Sequence, residues 1–341
     1  MSIQLDLIVH NGWKEVSGGN YYNLDLVDHF AHAGSKISII PFDKATKSYS
    51  PNPGCDFILI DSILSYSWDI KDLEVPCIGL IHLPQSFIGD AHNVSDDMFC
   101  KEHAFFAKLD ACIFVSEQTR RQSIKYFNFT GPSCVIEPGR PQKVELGKDH
   151  WQTSPTLRLL NVGRLDENKN QASLIDILAA HAKKFPQQSW TMTFCGPEID
   201  EYYERRMYPK ILEHGLEDRI SWKGPIKKDL IHNIYRNADC YICSSKYESW
   251  GISIMEAMGH GLALINCSEG GAMELTDLAR GIQLESPLSI GQCLKRLSDP
   301  QNLAEAKRNS LSGFQKLKTW PKQVQKLLGW LETLNKNEVC Q

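Results

Sequence analysis

The chain has 341 residues, 42% hydrophobic and 23% charged, with a formal net charge of −4. That length suggests about two domains, and the composition excludes disordered, collagen-like and low-complexity chains. The charge gives no global attraction to nucleic acid, although it is divided unevenly: 13 basic against 19 acidic residues over 1–150, and 24 against 22 thereafter.

The N-terminus lacks a basic leader with a long apolar core, so Ile3–Val9 reads as a first strand and the chain as a cytoplasmic protein. Further strands are predicted at 36–41, 56–60, 77–81, 111–115 and 133–136. A helix is predicted over 20–33, with Leu24, Val27 and Phe30 on one face and Gly34 as its stop. Pro138-Gly139-Arg140-Pro141 and the polar residues after it break the periodicity and form the best linker candidate.

The same rhythm then restarts. Strands are predicted at 157–162, 190–195, 219–222, 239–243 and 262–266, and helices at 170–185, 199–214, 227–237 and 252–259. The tail, 320–336, reads as an amphipathic helix. Strands alternating with helices predict an α/β protein with a parallel sheet in each half. No apolar run reaches the ~18 residues of a membrane span.

The eleven cysteines are odd in number and scattered through apolar runs, as reduced core thiols are. Cys240 and Cys243 form a CxxC, but within a buried strand their spacing puts them on opposite faces. No second CxxC or His pair completes a zinc site. GxGxxG, GxxxxGK[ST] and HExxH are all missing, which removes the main sequence support for nicotinamide, P-loop and zincin chemistry.

Three constellations follow predicted strands of the second half. In YESWGISIMEAMGHG, Glu248 lies in a loop after a strand, Gly251 opens a helix, and Glu256 lies within it. A parallel sheet binds ligands at the carboxyl ends of its strands, and a helix N-terminus offers free N–H groups to phosphate. A carboxylate one turn further in can accept from paired sugar hydroxyls. In NVGRLDENKN, Arg164 and Lys169 supply two cations suited to a diphosphate leaving group. The third is Gly270-Gly271 with Glu274.

Together, E-x7-E at Glu248 and Glu256, GR-x4-K at Gly163, Arg164 and Lys169, and GG-x2-E at Gly270, Gly271 and Glu274 resemble glycosyltransferase family 4. The resemblance is specific over 157–281. It is looser in the first half, through Gly18-Gly19, His82 and FVSEQTRR at 114–121, and Trp320 resembles the tryptophan before the family's closing helix. It implies the GT-B fold: two Rossmann-like parallel-sheet domains, 1–145 and 146–318, facing across a cleft. A terminal helix at 319–341 would return toward the first domain.

The resemblance also implies a retaining, nucleotide-sugar-dependent hexosyltransferase, with a UDP-sugar as the expected donor and no metal or other cofactor. Arg164 and Lys169 would hold the diphosphate, Glu256 the ribose hydroxyls and Glu248 the donor sugar. The backbone of Trp250, Gly251 and Ile252 would line sugar and phosphate, next to Gly163. The base would lie at Gly224-Pro225-Ile226. From the first domain, Gly18 and Gly19 would approach the phosphates, and His82 the sugar. Leaving-phosphate assistance makes a protein nucleophile unnecessary, and Asp96-Asp97, in an acidic loop, reads as solvated charge rather than a metal site.

The chain departs from the family pattern in Trp250-Gly251, in a linker reading Glu137-Pro138-Gly139-Arg140, and in a short first domain. Helix 20–33 is acidic and Arg120, Arg121 and Lys125 make only a modest basic patch, so membrane docking is not indicated. A soluble acceptor, a small molecule or saccharide, is favoured over a lipid. The alternatives are a GT-B-fold nucleotide-sugar epimerase, which needs no acceptor, and a silent paralogue that binds a sugar nucleotide or a partner.

Overall fold

The computed structural model describes residues 2–15, 17–42, 49–67, 73–88, 96–142, 144, 154–199, 201–284 and 290–338. The chain forms two compact units, Met1–Pro141 with Lys318–Gln341, and Gln142–Leu317. The expected boundary at 145/146 lies outside the described residues.

The first unit is built on a six-stranded parallel sheet. Its strands are β1 (Gln4–His10), β2 (Lys36–Phe42), β3 (Phe57–Asp61), β4 (Cys77–Ile81), β5 (Ala111–Phe114) and β6 (Ser133–Val135). They lie in the order β2-β1-β3-β4-β5-β6. Every residue of β3, β4 and β5 is buried, because helices cover both faces of a parallel sheet and each strand needs apolar residues throughout. The helices are α1 (Gly18–His32), α2 (Asp96–Phe106), α3 (Glu117–Phe127) and the last helix of the chain. Stacked Phe106 and Phe127, with ring centroids 4.4 Å apart, fill the space between α2 and α3.

Two local expectations change here. Phe30 is buried as expected, but Leu24 is exposed, and α1 buries Tyr22, Asn23 and Leu26 beside Phe30. Asp96 and Asp97 open α2 rather than lying in a loop, and Asp97 pairs with Lys101 one turn on. The predicted linker holds the boundary between the units, at Pro141/Gln142, and its first part is packed: the Arg140 N–H donates to the Lys318 carbonyl at 2.9 Å. A Cβ at Gly139 would collide with the Trp320 backbone.

The second unit has its own six-stranded parallel sheet. Its strands are β7 (Leu157–Val162), β8 (Trp190–Cys195), β9 (Ile220–Trp222), β10 (Cys240–Cys243), β12 (Ala263–Asn266) and β14 (Ile282–Gln283). The order is β14-β12-β10-β7-β8-β9. A parallel two-stranded ladder, β11 (Tyr247–Glu248) with β13 (Glu269–Gly270), extends the exits of β10 and β12. The helices in chain order are α4 (Gln171–Lys184), α5 (Tyr208–Glu213), α6 (Lys228–Arg236), α7 (Ile252–Gly259), α8 (Ala272–Leu278), α9 (Ile290–Leu297) and α10 (Pro300–Lys316). The single helix expected over 199–214 is instead a π-helical segment, Tyr203–Met207, running into α5. The closing helix is α11 (Trp320–Glu338).

At the amino end of β10 a buried ionic cluster fixes the sheet. Asp239 accepts from Arg158 Nε at 2.8 Å, Arg158 Nη2 at 2.9 Å and Lys307 Nζ at 2.8 Å. All four residues of β10 are buried, Cys240 and Cys243 as free thiols. Burial pushes the Cys243 thiol up to about 12, far from a reactive thiolate.

Candidate functional site

The sequence candidates of the second unit follow the carboxyl ends of β7, β9, β10 and β12. After β7 the chain turns sharply, with Lys169 N–H donating to Asp166 Oδ1 at 2.8 Å and Asn170 in the left-handed region at φ 57°. Asp166 Oδ2 also accepts from Arg164 Nε at 2.7 Å. Buried Gln171 donates to the Arg164 carbonyl at 2.9 Å and so fixes the other side of the turn.

The β7 exit is stitched to the β10 exit. Asn168 Nδ2 donates to the Tyr247 carbonyl at 3.1 Å, the Lys246 N–H to the Asn168 carbonyl at 2.7 Å, and Ser244 Oγ to the Lys169 carbonyl at 2.7 Å. Across this seam Lys169 Nζ forms an ion pair with Glu248 Oε1, which also accepts from Ser245 Oγ at 2.7 Å. Glu248 stands in β11 rather than in a loop. Burial works against the Lys169 ammonium, yet the facing Glu248 carboxylate outweighs it and leaves the lysine pKa above its ordinary value. Lys169 is therefore a permanently charged, sheltered cation, whereas the Arg164 side chain is 46% exposed.

Glycines bring the neighbouring exits together. Gly196, after β8, has φ 140°, and a Cβ there would strike the Gly163 carbonyl. The Gly196 N–H donates to the Gly224 carbonyl at 2.9 Å, which sets the turn leading to Ile226 beside it. Trp222 Nε1 donates to the Gly196 carbonyl at 3.0 Å. Gly163 itself lies against the aliphatic stem of Lys169.

Gly251 caps α7 with φ 93°, so the helix begins directly after buried Trp250 and presents its first N–H groups at Ile252. Gly270 has φ 83° because a side chain would collide with the Glu248 carbonyl across the β11–β13 ladder. Gly271 caps α8, which carries Glu274 in its first turn. Glu256, half-buried on α7, accepts from the Tyr235 hydroxyl at 2.7 Å.

In the first unit Gly18 and Gly19 open α1, capped by Ser17 Oγ accepting from the Asn20 N–H at 3.1 Å. His82 follows β4. Its Nε2 stands 2.9 Å from Asn23 Oδ1, while Asn23 Nδ2 donates to buried Asp61 at 2.8 Å. This order makes Nε2 the protonated nitrogen and leaves Nδ1 as an acceptor. Burial lowers the His82 pKa, with Asp61 only partly opposing it, so the ring is neutral at pH 7. A Cβ at Gly19 would come within 3.4 Å of the imidazole, so glycine there leaves that ring face uncrowded. Arg120 and Arg121 both pair with Glu117, which offsets much of the basic patch on α3.

Motif matching singles out Lys169, Glu248 and Glu256 but misses the groups that hold them: Asp166, Asn168, Gln171, Ser244, Ser245 and Tyr235. Asp166 and Ser245 stand three positions from Lys169 and Glu248, whereas Tyr235, Ser244 and Asn168 reach their partners from 21 to 79 positions away, where only the fold brings them together.

Two parallel sheets of six strands each, with helices on both faces, define a GT-B-fold protein. Residues 149–299 match the family model of glycosyl transferases group 1. The mannosylfructose-phosphate synthase of Agrobacterium fabrum is 26% identical over 181 residues, covering 51% of this chain and 40% of that protein. The GDP-mannose:cellobiosyl-diphosphopolyprenol alpha-mannosyltransferase of Xanthomonas oryzae pv. oryzae is 27% identical over 168 residues, 48% of this chain and 41% of that one. The chain thus spans well under half the length of these curated relatives. Among solved structures, sucrose-phosphate synthase from Thermosynechococcus elongatus superposes with a TM-score of 0.82 at 16% identity, covering 98% of this chain and 100% of that one. Anabaena HepE in complex with UDP-glucose gives 0.71 at 17% identity, with 98% and 100% covered. Among the described residues, no helix is long and apolar enough to cross a membrane.

Proposed function

We propose that the chain is a retaining glycosyltransferase that moves a sugar from a nucleotide-sugar donor, a UDP-sugar by preference, to an acceptor hydroxyl. The observation that carries this reading is the sheltered Lys169 ammonium. It is held by Glu248 where parallel strands end and beside the N-terminus of α7. A diphosphate placed there meets Lys169, the more exposed Arg164 and the free N–H groups at Gly251 and Ile252. Glu248 then accepts from donor-sugar hydroxyls and Glu256 from ribose hydroxyls, with the base along Gly224–Ile226. In the first unit, taken by itself, His82 Nδ1 is a hydrogen-bond acceptor and the α1 start at Gly18-Gly19 presents backbone N–H groups, both suited to polar ligand groups.

The chemistry needs little from the protein beyond charge stabilisation. The bond from the sugar's anomeric carbon to the diphosphate oxygen breaks, and a bond to the acceptor oxygen forms on the same face. The acceptor's proton passes to the departing phosphate. Lys169 and Arg164 stabilise the charge that grows on that leaving group. No protein nucleophile and no metal enters the reading. It is supported by relatives named for GDP-mannose transfer and by a structural neighbour in complex with UDP-glucose.

The test is a thermal-shift screen against UDP, GDP, ADP and their sugar conjugates, followed by transfer assays with whichever conjugate binds. A ligand at about 100 times its Kd adds ~2.7 kcal/mol, a readily visible shift. A shift with one base and transfer of its sugar are expected. No shift with any nucleotide, or donor turnover to an isomer without an acceptor, overturns the reading.

A further inference from the structure

Two buried phenols brace the first turns of α7. Tyr235, on α6, is fully buried, and its ring stacks on His260 with centroids 5.0 Å apart. Its hydroxyl donates to Glu256 Oε2 at 2.7 Å and lies 3.3 Å from the Ser253 carbonyl. Tyr241, on β10, donates to the Val162 carbonyl at 3.1 Å, which uses its one proton. Ser253 Oγ, 2.7 Å away, is therefore the donor to Tyr241. Tyr241 thus ties α7 to the β7 exit, and Tyr235 ties the Glu256 carboxylate to the α6 framework.

A glutamate on a helix has three side-chain torsions, so its carboxylate can be turned in several directions. A buried hydroxyl bound to one carboxylate oxygen selects one of them. Burial and the neighbouring Glu256 charge both hold the Tyr235 phenol well above its ordinary pKa, so it stays a donor. Each carboxylate oxygen has two acceptor positions, so Oε2 can take Tyr235 and a ligand hydroxyl together.

We propose that Tyr235 is a positioning residue that makes the site selective for ribonucleotides over deoxyribonucleotides, by holding Glu256 in the one orientation that receives two adjacent ribose hydroxyls. This rests on the assignment of Glu256 to the ribose.

The experiment is calorimetric titration of the wild-type chain and Tyr235→Phe with UDP and 2′-deoxy-UDP, and in parallel with GDP and 2′-deoxy-GDP. Phenylalanine keeps the ring and its stacking on His260, so only the hydroxyl is removed. Wild type should bind the ribonucleotide about 10-fold more tightly than its deoxy counterpart, the scale of one lost hydrogen bond. In Tyr235→Phe the ribonucleotide should weaken about 5- to 10-fold while the deoxynucleotide changes less than 2-fold, so the preference collapses. Equal weakening of both nucleotides overturns the proposal, because a merely structural role does not distinguish the sugars. An undiminished preference in the variant overturns it as well. A wild-type chain that binds both nucleotides equally removes Glu256 from the ribose, and that failure is read without the variant.

Discussion

Replacing Lys169 with alanine separates two roles that its geometry allows. Lys169 either serves a bound diphosphate or merely neutralises Glu248, its ion-pair partner. The side chains are 21% and 14% exposed, so the pair sits between bulk water and a dry interior. At an effective dielectric constant of about 20, two unit charges ~4 Å apart interact by roughly 4 kcal/mol. Arg164 remains to share the diphosphate, and residual solvent screens part of the field, so about 3 kcal/mol is the expected loss for Lys169→Ala. That is roughly a 100-fold weakening. Arg164→Ala should cost less, about 1 kcal/mol, because that side chain is 46% exposed and already held by Asp166. The assay is calorimetric binding of UDP and of uridine, and of GDP and guanosine in parallel, since the ratio isolates the diphosphate. The double variant Lys169→Ala/Glu248→Gln then removes the unpaired carboxylate. A ratio unchanged in Lys169→Ala, or restored in the double variant, would refute the reasoning and leave Lys169 as the counter-ion of Glu248.

Three further expectations concern the framework. Gly196→Ala puts a Cβ against the Gly163 carbonyl at a backbone angle that suits glycine, so it should destabilise the second unit by about 2–4 kcal/mol in urea denaturation; a loss under 0.5 kcal/mol would contradict the packing. Asp239→Ala leaves buried Lys307 without its carboxylate partner and should cost about 3–5 kcal/mol, with Asp239→Asn costing less. Equal, small losses in both would mean that the cluster contributes little. Finally, burial lowers the pKa of both His82 and His181, with Asp61 and Gln188 respectively opposing it in part. Below the unfolded histidine value of about 6.5 the unfolded chain binds more protons than the folded one, so stability rises with pH up to that value and falls as the pH drops through it. NMR titration of the imidazole C–H signals should give midpoints below 6.5 for both; a midpoint at or above that value would remove the effect.

The sheets were legible for a physical reason. Strands such as β4 and β12 are buried on both faces, and the sequence there is a continuous apolar run bounded by turn residues. Helices are harder wherever the buried face is not apolar. In α10 the buried positions include Lys307, Ser310 and Gly313, so no hydrophobic period marks it, and the lysine's partner Asp239 is 68 positions away. In α1 the buried Asn23 displaces Leu24 from the core face because it bonds Asp61 and faces His82. At the candidate site, residue type and spacing pick out Arg164, Lys169, Glu248 and Glu256. They do not show that Lys169 and Glu248 already hold each other, or that Tyr235 holds Glu256, since both contacts are tertiary.

The first unit is discontinuous along the chain, and this bears on the order in which the protein can assemble during synthesis. Trp320 packs edge-on against Tyr22, with centroids 5.0 Å apart, and its indole N–H reaches Asp25 at 3.2 Å. Gln323 donates to Glu137 at 2.7 Å. These contacts join α11 to residues translated between 186 and about 300 positions earlier. While residues 318–341 are still within the ribosome, the second unit has every strand it needs, but the Tyr22 and His29 face of α1 is bare. The nascent first half must therefore wait, with an aromatic surface open to chaperones, until the last helix emerges to cover it.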